Sequence, residues 1–390
     1  MEDYHNARQL AQQLRPDVPV ICRRPALAER AVRYFQDHFP GDILYAVKAN
    51  PAPWLITTLH AAGLDHIDAA SLAEIGLVRD HAPGCTIGFM HPVKSDEAIA
   101  QAYFDYGVRI FSLDSLDELD KIIRVTGDAR DLTLCVRLQA GSDLAKISLS
   151  SKFGADERVD ADLLQAARHK AERLGVSFHV GSQAMNPAAF VGALERAARA
   201  VRRAGVFIDI LDVGGGFPAV YPGMEPPRID AYIDAITARF EDFPSSGKAR
   251  LWCEPGRALC ADAESLVVRV EARKDDALFI NDGAYGALHD AAHLAWRFPV
   301  QNLNREGREH PFTFYGPTCD DADQMRGPFF LSEETQAGDY IEIGTTGAYC
   351  RSMVTRFNGY GQYLEAKLAD DPFPSLYTGA GQMAAEELSQ

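Results

Sequence analysis

Two hydrophobic periods divide the chain. From about Pro25 to residue 262, short apolar runs alternate with stretches in which Ala, Leu, Glu and Arg return every three to four positions. The short runs read as buried strands and the longer stretches as amphipathic helices. Strand cores fall near 43–48, 65–69, 86–90, 108–113, 132–139, 177–181, 207–213 and 250–254. Helix candidates between them run Ala52–Ala62, Ser71–Asp80, Ser95–Tyr106, Ser115–Thr126, Ala161–Leu174, Pro187–Ala204 and Ile229–Phe240. Eight strand-helix units in series predict an α/β fold, a (β/α)8 barrel over residues 26–262, rather than an open sheet. Beyond residue 262 the period shortens to two, in Ser265–Glu271, Ala277–Ile280, Pro311–Tyr315 and Tyr340–Ile343. That change predicts a C-terminal antiparallel β domain over 263–390. The Val18–Cys22 run has the same character, so residues 1–25 are expected to join that domain.

Composition narrows the function classes. At 390 residues the chain exceeds one hydrophobic core, in keeping with two domains. A net charge of -16 argues against a nucleic-acid or anionic-membrane surface, since both rely on Lys and Arg. The first residues show no basic stretch followed by an apolar core, and no run approaches membrane-spanning length. The seven cysteines are scattered with no C-x-x-C pair, which suits reduced thiols in a cytoplasmic enzyme. No H-E-x-x-H is present among the histidines, and no protein-ligated metal is expected.

Chemistry in a parallel barrel gathers at the C-terminal ends of its strands. Polar and glycine residues fall there in one phase: Lys48, Asp68 with Glu74 one helical turn later, His91, Arg137, the run His179–Gln183, Asp212–Pro218 and Glu254–Arg257. Each alone has an ordinary explanation as a turn or a satisfied polar group. Lys48 closes the apolar run Ile43–Val47 just before an Asn-Pro breaker. Burial disfavours an ammonium, so a lysine there must find a counter-charge, lose its proton or react with a ligand. A neutral amine forms Schiff bases with carbonyls; the alternative is a lysine with a buried stem and a solvated head.

Asp-Val-Gly-Gly-Gly-Phe-Pro at 212–218 places three glycines at a strand end, where backbone N–H groups can approach a phosphate. Gly256-Arg257 adds a guanidinium at the next strand end, and these two adjacent loops are the recurrent phosphate site of such barrels. The G-x-G-x-x-G dinucleotide spacing is absent. A Schiff-base lysine and a phosphate cradle together point to pyridoxal 5′-phosphate. Its ring would need an acid at the nitrogen, for which Glu254 is the candidate, and a partner on its face, for which His179 is the candidate. The residues alone leave open an ion pair with Arg257 for Glu254 and a core role for His179.

The motifs YAVKAN, FHVGSQ, DVGGGFP, CEPGRAL, YGPTCDDAD and GAY, in this order from residue 20 to 359, carry a resemblance. The chain resembles the fold-type III pyridoxal-phosphate decarboxylases, in their ornithine/lysine branch. The resemblance implies an alanine-racemase-type barrel, a β domain and a homodimer with two shared active sites. It makes Lys48 the cofactor-bonding lysine, His179 the ring-stacking residue and Glu254 the partner of the ring nitrogen. Ser182, Gly216, Gly256, Arg257 and Tyr349 would hold the phosphate, while Asp68, Glu74 and Arg137 line the cofactor. Cys319 would protonate the substrate Cα from the partner subunit, and Asp320 would face the distal amine. Lys152 and Asp323 fall where the family forms an intersubunit ion pair.

The implied reaction is decarboxylation of a basic L-amino acid, ornithine to putrescine first and lysine to cadaverine second. Acidic groups at the distal end would select a cation, since a desolvated ammonium must be paired. Eukaryotic ornithine decarboxylases carry a substrate-binding aspartate some ten residues past an N-D-G-x-Y-G segment. Here Asn281–Gly286 is followed by a different run, in which Asp290 is the candidate and His289, His293 and Trp296 could reshape the pocket. A less usual amino acid is therefore a further alternative. Diaminopimelate decarboxylase is the rival reading, disfavoured by Thr318-Cys319-Asp320-Asp321 where that enzyme has a Cys-Glu-Ser-x-Asp turn. An alanine racemase would need a tyrosine base and release no CO2. A non-catalytic binding protein is disfavoured by the presence of Lys48, Glu254, Arg257 and Cys319.

Overall fold

The computed structural model describes residues 3–140, 145–147, 152–245 and 247–377. They form two compact units, one of 32–218 with 226–258, the other of 1–31 with 219–225 and 259–390.

The first unit is a closed barrel of eight parallel strands: β1 (Asp42–Ala46), β2 (His66–Ala69), β3 (Thr86–Phe89), β4 (Ile110–Leu113), β5 (Thr133–Leu138), β6 (Arg173–Phe178), β7 (Ile210–Asp212) and β8 (Arg250–Cys253). Each pairs with its sequence neighbour, and Trp252 and Cys253 of β8 close the ring on Asp42 and Ile43 of β1. Leu44, Met90, Ile110, Cys135, Ile210 and Trp252 fill the interior as one buried cluster, so the barrel is a packed core and not a channel. The Trp252 indole donates to Asp42 Oδ2 at 2.7 Å, satisfying its one polar atom.

Serine caps set the helix starts. Ser71, Ser95 and Ser115 each accept from the backbone N–H three residues on, which fixes the helices Leu72–His81, Asp96–Ala100 and Leu116–Val125 directly after β2, the β3 loop and β4. Three expected boundaries shift. The helix expected to end at Leu174 ends at Lys170, and β6 begins at Arg173 rather than near 177, because Arg173 and Leu174 pair with Thr133 and Leu134. Strand pairing here overrides the helical propensity of the Ala-Glu-Arg-Leu run. β1 stops at Ala46, so Lys48 lies in a short 3-10 turn, Val47–Ala49, and not in the strand. The expected helix Ser95–Tyr106 widens into a π-type turn at Gln101–Asp105.

The second unit carries the expected β sheet around the long strand Glu264–Lys274. Val20–Arg23 joins it, pairing antiparallel with Glu264–Val267. The sheet is mixed rather than purely antiparallel. Val20–Arg23 runs parallel to Leu364–Leu368, and Ala277–Ile280 runs parallel to Glu309–Tyr315. These parallel partners are far apart in sequence, so no hairpin constrains their direction.

Buried charge knits this unit together. Arg24, 2% exposed, donates to Glu342 Oε1 at 2.7 Å, Asp370 Oδ1 at 2.8 Å and Ser265 Oγ at 2.7 Å. Gln301 donates to the other oxygen of Glu342 at 2.6 Å. A buried ion pair with its lone pairs filled adds little by itself, but losing one partner leaves an uncompensated charge. Glu342→Ala is therefore expected to destabilise the protein by about 3–5 kcal/mol. A denaturant midpoint equal to that of the parent protein contradicts this.

Candidate active site

The turn after β1 aims Lys48 at β2. Asn50 closes the turn through its N–H to the Val47 carbonyl at 3.0 Å, and its side chain accepts from Ala52 N–H at 3.0 Å to start the next helix. Lys48 Nζ donates to Asp68 Oδ2 at 2.6 Å. The lysine side chain is 38% exposed and the aspartate 1%, so an accessible amine rests on a buried carboxylate. Asp68 Oδ1 is buried, with no hydrogen-bond partner among the described residues. That carboxylate holds the amine at the strand end.

Glu74, expected to line the cofactor, reaches back to accept from Ala70 N–H at 2.6 Å, while its own N–H donates to Ser71 Oγ at 3.2 Å. This reciprocal pair is a helix cap built at the end of β2. Burial raises the Glu74 carboxyl above its ordinary value.

The three glycines after β7 are dictated by close approach to the loop after β6. A Cβ at Gly214 would lie 1.9 Å from the Phe178 carbonyl oxygen, and one at Gly216 would lie 2.5 Å from the Gly181 carbonyl oxygen. At Gly215 it would stand 3.0 Å from His179 Nε2, so any side chain there presses on the imidazole. Gly214 and Gly216 also take positive φ, at 67° and 110°. His179 Nδ1 accepts from Gly181 N–H at 3.0 Å, which orients the ring. Burial, with the charges of Arg137 and Lys48, pulls its pKa well below the usual histidine range. The ring is therefore neutral at physiological pH.

Two buried carboxyl groups meet at the ends of β7 and β8. Asp212 Oδ1 accepts from Gly214 N–H at 2.8 Å, and Glu254 N–H donates to the Gly214 carbonyl at 2.9 Å, so one glycine fixes both. Asp212 Oδ2 and Glu254 Oε1 are buried, with no hydrogen-bond partner among the described residues. Burial holds both carboxyl groups above the ordinary carboxylate range, and the neighbouring acids add to it at Glu254. Nearby, Arg257 is buried and donates to Ser182 Oγ at 3.5 Å. A Cβ at Gly256 would lie 2.9 Å from Ala49 Cβ, so glycine lets the end of β8 pack on the lysine turn. Arg137 of β5 lies 5.5 Å from the centre of the Phe153 ring.

The second unit holds the remaining expected residues. Cys319 sits in the hairpin loop 316–323 between Glu309–Tyr315 and Gln324–Ser332, and its N–H donates to Asn358 Oδ1 at 3.1 Å. It is exposed while the other six cysteines are buried. A cavity of about 400 Å³ opens at this loop, lined by Cys319, Asp320, Asp321, Glu271, Tyr315 and Tyr360 among others. Tyr285 donates a short hydrogen bond to Asp320 Oδ2. Asp290 is buried in the short helix His289–His293, its Oδ1 3.5 Å from His289 Nδ1. Tyr349 is half-buried at φ 64°, a left-handed backbone.

The structure thus brings Lys48, Asp68, Glu74, Arg137, His179, Ser182, Gly216, Glu254, Gly256 and Arg257 to the strand-end side of one barrel, and carries Cys319, Asp320, Asp290 and Tyr349 on the second unit. Sequence reasoning missed three side chains. Asp212 was visible only as a strand-end polar residue; Tyr285 belongs to the N-D-G-x-Y-G segment; Asn358 had no signal. The barrel set fits pyridoxal 5′-phosphate. Its glycine loop leaves no room for side chains, Glu254 offers a buried unpaired oxygen for a ring nitrogen, and Lys48 offers an accessible amine for a carbonyl.

Comparison with known proteins agrees. Residues 26–261 match the family model described as pyridoxal-dependent decarboxylase, pyridoxal binding domain. The chain is 33% identical over 345 residues to the lysine/ornithine decarboxylase of Selenomonas ruminantium, covering 85% of each. It is similar in structure to the arginine decarboxylase of Paramecium bursaria Chlorella virus, with a TM-score of 0.82 and 28% identity over 92% of this chain and 98% of that one. The lysine/ornithine decarboxylase of Vibrio vulnificus, crystallised with putrescine, aligns at a TM-score of 0.79 and 27% identity over 95% of this chain and 100% of that one. With a barrel built for the cofactor, a family match over most of that barrel and relatives matched over most of their length, the chain belongs to the pyridoxal-dependent decarboxylases of the ornithine/lysine/arginine type.

Proposed function

We propose that this carboxy-lyase acts on a basic L-amino acid, converting L-ornithine to putrescine, with L-lysine to cadaverine as its second reaction. The observation that carries this reading is the acidic cavity around the exposed Cys319, where Glu271, Asp320 and Asp321 face one space. A substrate ammonium taken out of water needs such a counter-charge. The names of the Selenomonas and Vibrio relatives support the same substrates.

The chemistry supplied by bound pyridoxal 5′-phosphate is an electron sink for the pair left when CO2 departs. Each residue then has a task set by its surroundings. Lys48 would hold the cofactor through its carbonyl carbon, and the Asp68 carboxylate, which accepts from the lysine amine, orients that amine. With the cofactor bound, the buried Glu254 Oε1 would pair with a proton at the ring nitrogen, and that charge would keep the sink strong. His179, neutral and oriented by Gly181, presents an uncharged face to the ring. Gly216, Gly256, Arg257, Ser182 and Tyr349 would hold the phosphate, while Glu74 and Arg137 would border the cofactor.

Cys319 donates the proton that completes the product at Cα, and Asp320, braced by Tyr285, pairs with the distal ammonium. Asp290 is buried in its helix, and in this reading it shapes the distal pocket. The working form is a homodimer in which the Cys319 loop of one protomer serves the partner's barrel. The solitary exposure of Cys319 among the cysteines supports this assembly, and the reduced thiols support a cytoplasmic location. Among the described residues no helix is long and apolar enough to cross a membrane.

CO2 release by the cofactor-loaded protein, compared as kcat/KM across ornithine, lysine, arginine and meso-diaminopimelate, tests the substrate. Preference for ornithine or lysine is expected; preference for diaminopimelate, or no release from any of the four, overturns the reading. Cys319→Ala is expected to keep the cofactor's visible absorbance while lowering kcat and sending part of the product to the wrong protonation site. An unchanged rate and a single amine product would remove Cys319 from its role.

A further inference from the structure

Among the described residues, the guanidinium of Arg137 at the end of β5 makes no hydrogen bond and no ion pair. Its direct partner is an aromatic ring. The guanidinium carbon lies over Phe153, 5.5 Å from the ring centre, within the range in which a cation is attracted to an aromatic face. The charge is felt across the barrel mouth: after burial, it is the next cause holding the His179 imidazole below the usual histidine range.

The ring is fixed by the backbone that follows it. Ala155 N–H donates to the Arg137 carbonyl at 2.8 Å and Gln139 N–H donates to the Ala155 carbonyl at 3.1 Å, so residue 155 runs parallel beside the end of β5. Gly154 N–H donates to Asp114 Oδ2 at 2.9 Å, which ties the same segment to the loop after β4. Only glycine suits that position. Its φ is 105°, and a Cβ there would lie 2.6 Å from Gln139 N and 2.7 Å from the Leu138 carbonyl carbon. The ring is braced by His91, beyond the end of β3, in a T-shaped contact with centres 5.2 Å apart and planes at 85°. Lys94 Nζ in turn donates to the His91 carbonyl at 2.9 Å. The ends of three neighbouring strands thus converge on one phenyl ring, and Arg137 rests on it.

We propose that Phe153 is a positioning residue, whose ring holds the Arg137 guanidinium in place at the barrel mouth. Its consequence for the cofactor rests on the reading that Arg137 borders it. An arginine head with no hydrogen-bonded partner is free to turn, and a flat ring anchored at its backbone restricts that freedom without neutralising the charge. Lys152 Nζ stands 4.8 Å from the same ring centre. Its ammonium stays available for the intersubunit ion pair that the family resemblance implies, since a ring face occupies none of its N–H groups.

The test uses the full chain and two readouts: the rate at which phenylglyoxal modifies Arg137 before cofactor is added, followed by mass spectrometry of the Arg137 peptide, and the dissociation constant for pyridoxal 5′-phosphate from its visible absorbance. Phe153→Leu is expected to raise both about fivefold, the fold-change of one cation–π contact. Phe153→Tyr keeps the ring and is expected to stay near parent values in both. Phe153→Met removes the ring at similar bulk and decides the matter if Phe153→Leu does not fold. In the Arg137→Leu background, Phe153→Leu is expected to weaken cofactor binding no further, because a residue acting through another adds nothing once that one is gone. Parent-like modification of Arg137 in the ring-less variant overturns the proposal. So does a loss of cofactor affinity that persists in full when Arg137 is already leucine, which would assign the ring's effect to Lys152 or to general packing. If Arg137→Leu binds the cofactor as the parent does while Phe153→Leu still speeds modification, the ring's hold on Arg137 stands and the reading of Arg137 as a cofactor neighbour fails.

Discussion

The hydrogen bond from Lys48 to the buried Asp68 is the interaction on which the rest of the barrel site depends. It holds an accessible amine over a carboxylate that water does not reach, at the mouth of a barrel whose interior is filled by Leu44, Met90, Ile110, Cys135, Ile210 and Trp252. A packed floor forces polar groups to the rim, because a charged side chain lower in the barrel would have no partner. The rim then concentrates charge: Asp68, Asp212 and Glu254 from three strands, with Lys48, Arg137 and Arg257 among them. Burial first, and these charges after it, push the Glu254 carboxyl well above its ordinary range and the His179 imidazole well below its own.

The glycines connect this electrostatic arrangement to the backbone. Gly214 ties Asp212 through its N–H and Glu254 through its carbonyl, and its missing side chain lets β7 and β6 loops approach. One residue thereby fixes the spacing of two carboxyl groups and the setting of the imidazole. A loop read from the sequence as a phosphate cradle is thus first a packing solution; exposed N–H groups are its by-product.

The barrel was legible because a parallel barrel imposes the same period eight times, and the position of its polar residues at the rim was legible because strand ends share one phase. Lys48, Asp68, Glu254 and Arg257 could be placed from that phase alone. The limits were also physical. Arg173 and Leu174 have helical propensity, and only pairing with β5 makes them strand. The parallel pairing of Val20–Arg23 with Leu364–Leu368 joins the two ends of the chain and leaves no local trace. Asp212 looked like a turn residue because its partner, Glu254, lies on another strand. The donors to Asp323, Ala284 N–H and the Thr318 hydroxyl, carry no motif of their own and left no trace in the sequence.

The assignment of Lys48 as the residue that bonds the cofactor is tested most directly by borohydride reduction of the loaded protein, followed by proteolysis and mass spectrometry of the labelled peptide. The expected result is a single pyridoxyl-phosphate adduct on the peptide containing Lys48, absent from Lys48→Ala. An adduct on another lysine, such as the buried Lys94, or undiminished labelling of Lys48→Ala, would contradict it.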